Sequence, residues 1–198
     1  NENTLFQPRS VYAISKVFAY HSVIHYREAY DLHACNGILF NHESPRRGVN
    51  FVTKKIVQGL TRIKQGKQKN LILGNLYSRR DWGHAKDYVE SMWKILQQKK
   101  PDDFVIATRT SHSVKDFINI CAKKLGIKLL WKNKGLDEIG IDKESNKIII
   151  RINKKYFRET EVDDLIGDFS KAKRLLKWKP KYSFNKLVDD MIEKEKYE

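Results

Sequence analysis

The sequence lacks the features that mark several large classes of protein. Its two cysteines, Cys35 and Cys121, stand outside any CxxC spacing and are expected to be buried, reduced thiols. No apolar run is long enough to span a bilayer, and no secretory signal pattern opens the chain. Among the six histidines, His21 and His25 lie four residues apart, but no third metal ligand accompanies them. A cytoplasmic protein without a metal site fits these absences best.

Long basic runs and glycine-rich loops are missing as well. The formal net charge is +15, from 39 Lys and Arg against 24 Asp and Glu, yet the lysines occur singly or in pairs. This scatter favours a solvated basic surface, while a basic nucleic-acid-binding domain stays open as an alternative from the residues alone. The sequence also contains no GxGxxG motif, which is the usual phosphate-cradling loop of dinucleotide-binding proteins.

What is present is an alternation of helical and strand patterns. Apolar spacing predicts helices over 12–29 (with Ser10 as N-cap), 51–66, 84–98, 113–126, 161–168, 169–178 and 184–198. Continuous apolar runs predict strands over 33–40, 70–75, 103–108, 127–132 and 148–153. The polar segments 41–50, 78–83 and 134–147 are predicted to be loops. This alternation indicates an α/β fold with a mostly parallel sheet.

The stretch "SVYAISKVFAY" places Tyr12 and Lys16 one helical turn apart. A phenol is a poor base at neutral pH, but a nearby ammonium group stabilises the phenolate form. Such a tyrosine can remove a proton from a sugar hydroxyl while a hydride leaves the same carbon. The spacing alone is more often that of an ordinary structural pair, so the neighbouring motifs decide between the two interpretations.

Several segments, in order along the chain, resemble one enzyme family. "PRSVYAISK" resembles the active-site segment of extended short-chain dehydrogenases/reductases, and "NHESPRRG" with "RDWGHAKDYV" is typical of their GDP-mannose 4,6-dehydratase family. "FVTKKI", "KYFRETEVDDLIGD" and "LLKWKPKYSF" are similar to further motifs of that family. The resemblance implies an α/β fold, the C-terminal portion of a Rossmann-like domain with a smaller substrate-binding region. Residues 1–42 and 84–112 would form the later part of the Rossmann-like domain, and 43–83 and 113–198 mainly the nucleotide-sugar-binding region.

The resemblance also implies roles for individual residues. Tyr12 and Lys16 would be catalytic and would contact NADP, together with His42, Arg46 and Arg47. The nucleotide-sugar would be bound by Asn41, Lys55, Arg80, Arg158 and Glu161. The residue types suit these roles, because the planar fork of a guanidinium matches phosphate oxygens and a carboxylate suits ribose hydroxyls. Without the resemblance, the arginines at 46–47 are equally a solvated basic turn, and the pair at 158 and 161 a surface ion pair.

The implied activity is that of a hydro-lyase. GDP-mannose would be converted to GDP-4-keto-6-deoxymannose and water through internal redox by NADP, the first step toward GDP-fucose and related deoxysugars. The family takes its glutamate base and a partner threonine from a strand upstream of the tyrosine, and neither lies in these residues. The chain is therefore expected to be the C-terminal half of the enzyme, and neither to bind NADP tightly nor to turn over alone.

Partners and alternatives follow from the same resemblance. The complete enzyme is expected to be a homo-oligomer, a tetramer as the family's arginine loop suggests, or this chain would be completed by a separate N-terminal half. Neither a membrane nor nucleic acid is an expected partner. Two alternatives within the fold stay open. One is another NAD(P)-dependent sugar-nucleotide epimerase or dehydratase, against which "NHESPRRG" argues, and the other is a non-catalytic remnant.

Overall fold

The computed structural model describes residues 1–157 and 164–195 of the chain. The helices in these ranges are α1 (Val11–Tyr30), α2 (Val52–Lys64), α3 (Ala85–Leu96), α4 (Val114–Lys124), α5 (Ser170–Leu175) and α6 (Phe184–Glu195). The strands are β1 (Gly37–Leu39), β2 (Asn41–Glu43), β3 (Leu71–Leu73), β4 (Arg79–His84), β5 (Phe104–Ile106), β6 (Ser111–Ser113), β7 (Leu129–Lys132), β8 (Ile139–Asp142) and β9 (Lys147–Ile152). None of the described helices is long and apolar enough to cross a membrane.

The chain forms two compact units. Unit 1 comprises Asn1–His42, Arg80–Ser111 and Thr160–Ser183, and unit 2 comprises Glu43–Arg79, His112–Glu159 and Phe184–Glu198. Each unit combines helices with a parallel strand pair, β1 with β5 in unit 1 and β3 with β9 in unit 2. The predicted α/β class is confirmed by this combination.

Helix α1 begins at a capped position and keeps its side chains accessible. The Ser10 hydroxyl accepts a hydrogen bond from the Ala13 backbone N–H, which satisfies one of the donors that a helix N-terminus leaves unpaired. The helix ends at Asp31, whose left-handed backbone has a φ of 52°. Within the described structure no α1 side chain is buried, although Val11 and Phe18 are large and apolar. Val17 and Ile24 are half-buried, so polar contacts add to partial apolar packing in attaching α1 to unit 1.

Asp103, directly before β5, is the carboxylate to which α1 is tied. Arg27 Nη1 and Nη2 donate to its two oxygens over 2.9 and 3.1 Å. The backbone N–H of Asn36 donates to Oδ1 over 2.9 Å, and Arg27 also donates to the carbonyl of Ala34. Burial raises the pKa of Asp103, but the donors from Arg27 and Asn36 outweigh it and hold the pKa below its ordinary value.

The apolar core of unit 1 is built by α3, α5 and the pair β1–β5. The two strands are parallel over three residues, with Gly37 opposite Phe104. Tyr88 and Trp178 are buried in this core, where their rings meet edge to face with centroids 6.3 Å apart. These large rings bury much apolar area in a unit whose strands are short.

Buried carboxylates close the loops around this core. Asp81 on β4 accepts hydrogen bonds from one hydroxyl, that of Thr108, and from three backbone N–H groups, those of Thr108, Arg109 and Gly167. Asp87 on α3 accepts hydrogen bonds from two backbone N–H groups, those of Lys181 and Tyr182. Trp82 beside them is 3% exposed. Asp81 and Asp87 therefore act as structural residues.

Unit 2 is organised around a mixed sheet. The strand order is β3-β9-β8-β7, in which β3 and β9 are parallel and β9, β8 and β7 are successively antiparallel. Leu71 on β3 lies opposite Ile150 on β9. Helices α2, α4 and α6 contact one another and bury Ile56, Phe117 and Met191 among their apolar residues. At the start of α2, Val52 is 36% exposed, whereas Ile56 one turn later is fully buried.

Most predicted elements are confirmed, and the three strands found in predicted loops share a cause. The segments 78–83 and 134–147, predicted to be loops, contain β4 and β8, and β2 lies in the predicted loop 41–50. These segments carry few apolar side chains, so their strand state depends on pairing partners that a local pattern does not reveal. Residues 164–168 are not helical, contrary to the helix predicted over 161–168, of which 161–163 lie outside the described residues. Cys121 is buried as predicted, whereas Cys35 is only half-buried.

The tie between α1 and Asp103 predicts a stability effect. We expect Arg27→Lys to lower the free energy of unfolding by about 2 kcal/mol, because one ammonium cannot replace a fork that donates to both carboxylate oxygens. Urea denaturation at neutral pH measures the change. Arg174→Lys, at an exposed position of α5, is the matched control and is expected to have no effect. Equal stability of Arg27→Lys and the control would contradict the role given to this pair.

The lowered pKa of Asp103 predicts a pH dependence with a definite sign. A group whose pKa is depressed by folding stabilises the native state above its ordinary pKa, and that contribution is lost as the pH falls through the depressed value. We therefore expect Asp103→Asn to destabilise the protein at neutral pH and to flatten the loss of stability on acidification. Denaturation series from neutral to acidic pH test this. A substituted protein with the same acid-induced loss as the parent would exclude Asp103 as its source.

Candidate functional site

Tyr12 and Lys16 lie together at the start of α1, as the sequence predicts. Tyr12 is 71% exposed, and Lys16 Nζ lies 5.4 Å from the centroid of the Tyr12 ring. The cap at Ser10 sets the helix start and so places Tyr12 in the first turn, with Lys16 one turn further on. The phenol is thus accessible to a small molecule and has a cation beside it.

Asn41 and His42 occupy the first two positions of β2 and are both half-buried. The His42 ring stacks on Tyr88 with centroids 4.9 Å apart and an interplanar angle of 29°. His42 Nδ1 lies 2.9 Å from the carbonyl oxygen of Phe40, and since a carbonyl only accepts, Nδ1 is the protonated nitrogen. The other ring nitrogen, Nε2, takes no part in this contact.

Arg46 and Arg47 follow β2 on a loop of unit 2, where Glu43 is the anchoring residue. Glu43 is 2% exposed and accepts a hydrogen bond from the Thr53 hydroxyl over 2.6 Å. Arg47 Nε forms an ion pair with the same carboxylate oxygen at 3.0 Å, and its guanidinium lies 3.5 Å from the centroid of the Phe51 ring. Burial raises the pKa of Glu43, against the opposing effect of the Thr53 and Arg47 donors. Arg46 is exposed.

A second anchor holds the same loop. The Lys54 side chain, 4% exposed, donates to the backbone carbonyl of Pro45 over 3.4 Å. Its Nζ also forms a buried ion pair with Glu195 of α6 at 2.5 Å. The loop that carries the two arginines is therefore attached to α2 at two points. Thr53 binds Glu43 at the start of the loop, and Lys54 binds Pro45 within it.

The remaining predicted residues are distributed over both units. Lys55, half-buried on α2, places its Nζ 4.3 Å from the centroid of the Tyr156 ring. Arg80 is half-buried on β4, and Arg79 next to it lies 3.7 Å from Asp116, so Arg79 has a carboxylate neighbour rather than being merely solvated. Arg158 and Glu161 lie outside the described residues.

The structure brings some predicted residues together and assigns others to different units. Unit 1 contains Tyr12, Lys16, Asn41, His42 and Arg80, and unit 2 contains Arg46, Arg47 and Lys55. Sequence reasoning missed Glu43, Thr53 and Phe51, which surround Arg47. A signal was available, because Glu43 stands four residues before Arg47, a common spacing for an ion pair.

Solved structures with the same fold cover the whole chain. RMD from Pseudomonas aeruginosa complexed with NADPH matches with a TM-score of 0.82 at 16% identity, over 100% of this chain and 60% of that chain. The dTDP-glucose 4,6-dehydratase from Bacillus anthracis in complex with NAD matches with a TM-score of 0.79 at 18% identity, over 100% and 55%. At these identities the likeness shows the fold alone, and the predicted portion of an extended short-chain dehydrogenase/reductase fold is confirmed.

Relatives of similar sequence cover nearly all of this chain. The GDP-mannose 4,6 dehydratase of Drosophila melanogaster is 54% identical over 192 residues, which are 97% of this chain and 49% of the relative. The human relative is 51% identical over 96% of this chain and 51% of its own length. The chain thus spans about half the length of the relatives it matches. Because the family model described as GDP-mannose 4,6 dehydratase matches residues 1–191, the chain belongs to the GDP-mannose 4,6-dehydratase family.

Proposed function

We propose that this chain carries part of the active site of a GDP-mannose 4,6-dehydratase, a hydro-lyase that converts GDP-mannose to GDP-4-keto-6-deoxymannose and water. The observation that carries the proposal is the family match over residues 1–191, with Tyr12 and Lys16 adjacent on the accessible face of α1. The names of the relatives support the substrate. With this activity the protein would catalyse the first step toward GDP-fucose and related deoxysugars. We propose that it does so in the cytoplasm.

Tyr12 is the proposed proton acceptor. Its phenolic oxygen takes the proton of the sugar C4 hydroxyl, with the ammonium of Lys16 as the neighbouring cation, 5.4 Å from the ring centroid. When bound, a nicotinamide cofactor would supply the hydride acceptor for C4 and the hydride that C6 receives after water has left. The base that removes the C5 proton is not assigned to this chain, since the family takes it from an upstream strand.

The residues present fit a phosphorylated nicotinamide cofactor. Arg47 pairs with Glu43 through Nε and its side chain is 24% exposed, so the Nη1 and Nη2 end of the fork can reach a phosphate. His42 offers Nε2 beside the stacked Tyr88 ring. The NADPH and NAD named with the solved structures support a nicotinamide cofactor. NADP is proposed in particular, with His42, Arg46 and Arg47 as its contacts beyond Tyr12 and Lys16.

The nucleotide-sugar is proposed to bind through cationic and amide side chains. These are Asn41, Lys55, Arg80, Arg158 and, as a carboxylate for ribose hydroxyls, Glu161. The Lys55 ammonium is positioned over the Tyr156 ring, which supports a fixed rather than a freely rotating cation at this place. The assignment of 43–83 and 113–198 to the nucleotide-sugar region, and of a tetramer to the complete enzyme, stays a prediction.

A fusion protein tests the activity. The upstream part of the Drosophila relative is joined to this chain, which replaces the matching residues. We expect the purified fusion to convert GDP-mannose into a product lighter by one water, detected by mass spectrometry, whereas residues 1–198 alone show no turnover because they contain no GxGxxG loop. A folded fusion that binds NADP and leaves GDP-mannose unchanged would overturn the proposed function.

The proton-transfer role of Tyr12 has its own test in the same fusion. We expect Tyr12→Phe to lower kcat by about 10²–10⁴-fold, the usual contribution of a general acid or base. Tyr26→Phe is the matched control, because Tyr26 is another exposed tyrosine of α1, 52% exposed, and loses the same hydroxyl. A Tyr12→Phe variant as active as the control would remove Tyr12 from the mechanism.

A further inference from the structure

We propose that Glu43 is a positioning residue that, with Phe51, holds the Arg47 guanidinium ready for a phosphate oxyanion. The inference rests on the proposed function for the identity of the phosphate carrier, which is either the cofactor or the nucleoside diphosphate of the substrate. Its physical content rests only on the geometry within unit 2. The group formed by Glu43, Arg47, Phe51 and Thr53 is called the Glu43 clasp below.

The Glu43 carboxylate is itself rigid. It is 2% exposed, and the fully buried Thr53 hydroxyl donates to Oε2 over 2.6 Å from the first turn of α2. Burial of a carboxylate is costly unless donors compensate it, so the side chain has little freedom to leave Thr53 and Arg47. A fixed anion is what a positioning residue needs.

Arg47 is held in two independent ways by this group. Its Nε pairs with Glu43 Oε2 at 3.0 Å, and its guanidinium carbon lies 3.5 Å from the centroid of the Phe51 ring. The ion pair sets the direction of the fork, and the ring sets its plane. The side chain is 24% exposed, so the fork is partly open to solvent while its base is fixed.

The outer end of the Arg47 guanidinium indicates which class of ligand it can bind. Nε lies 3.0 Å from Glu43 Oε2 as an ion pair, although this buried atom has no hydrogen bond of good geometry, and the contact leaves the Nη1 and Nη2 donors of the fork for a ligand. Two parallel N–H donors of a planar cation match two oxygens of a phosphate. Holding the fork in its bound orientation before the ligand arrives removes an ordering cost from binding.

The variant Glu43→Gln separates positioning from folding. The amide oxygen still accepts the Thr53 hydroxyl, but the charge that directs Arg47 is gone. In the fusion protein we expect Glu43→Gln to raise the Kd for NADP or for GDP by about tenfold, through lost pre-organisation. In the Arg47→Ala background the same substitution is expected to change neither Kd, because Glu43 acts through Arg47.

Two further variants complete the experiment. Phe51→Leu alters a ring that is 48% exposed, so it leaves folding intact and is expected to weaken the same ligand. Glu138→Gln is the matched control, since Glu138 is also buried and also accepts from a hydroxyl, Tyr77, at 2.7 Å and a cation, Lys115, at 2.5 Å. The control is expected to lower the melting temperature without changing either Kd.

Calorimetric titrations with NADP and with GDP decide the outcome. Weaker binding of NADP alone assigns the phosphate to the cofactor, and weaker binding of GDP alone assigns it to the substrate; both support the clasp. Unchanged Kd values, an undiminished effect without Arg47, or a parent protein that binds neither ligand overturn it. Turnover of GDP-mannose is scored separately, so a fusion with a working clasp and no dehydration rejects the proposed function only.

Discussion

A carboxylate that leaves water must find donors, and much of this structure depends on that constraint. Most of its strands span only three or four residues, so strand pairing fixes little of the connecting chain. Asp81 gathers backbone N–H groups from segments as far away as Gly167, 86 residues along the chain. Asp87 and Asp103 do the same for other segments of unit 1. Each buried carboxylate thereby fixes the path of the segments whose N–H groups donate to it. Loss of those donors would leave an uncompensated charge in the interior.

The candidate site uses the same device for a different purpose. Glu43 is buried like Asp81, but one of its partners is a side chain, Arg47, which is itself 24% exposed. A group that binds phosphate benefits from being held, because its geometry does not change during the reaction. Tyr12 is the opposite case, since it has to approach a sugar hydroxyl and is 71% exposed. The two arrangements fit the different tasks proposed for them, binding for Arg47 and proton transfer for Tyr12.

The sequence predicts the helices well because each carries its own signal. The cap at Ser10 and the left-handed Gly66 and Gly126, which follow α2 and α4, are local features. Strand β4 is different, because its pairing and the burial of Asp81 depend on residues distant in sequence. The site shows the same contrast: Tyr12 and Lys16 are only four residues apart in the sequence and are together in space. The environment of Arg47 involves Phe51 and Thr53, whose contacts arise only when the loop folds onto α2.

The distribution of charge bears on why a strongly basic chain need not be a nucleic-acid binder. The net charge of +15 is the excess of 39 Lys and Arg over 24 Asp and Glu, so ion pairs within each unit fix the places of individual cations but leave this excess unchanged. Such pairs are made by Arg27, Arg47, Lys54, Lys115, Lys124, Lys171 and Lys181. Nucleic-acid binding needs cations in a row that remain free to replace counterions. A single oriented guanidinium such as Arg47 serves a small phosphate ligand instead, because it recognises two oxygens at one point and needs no extended field.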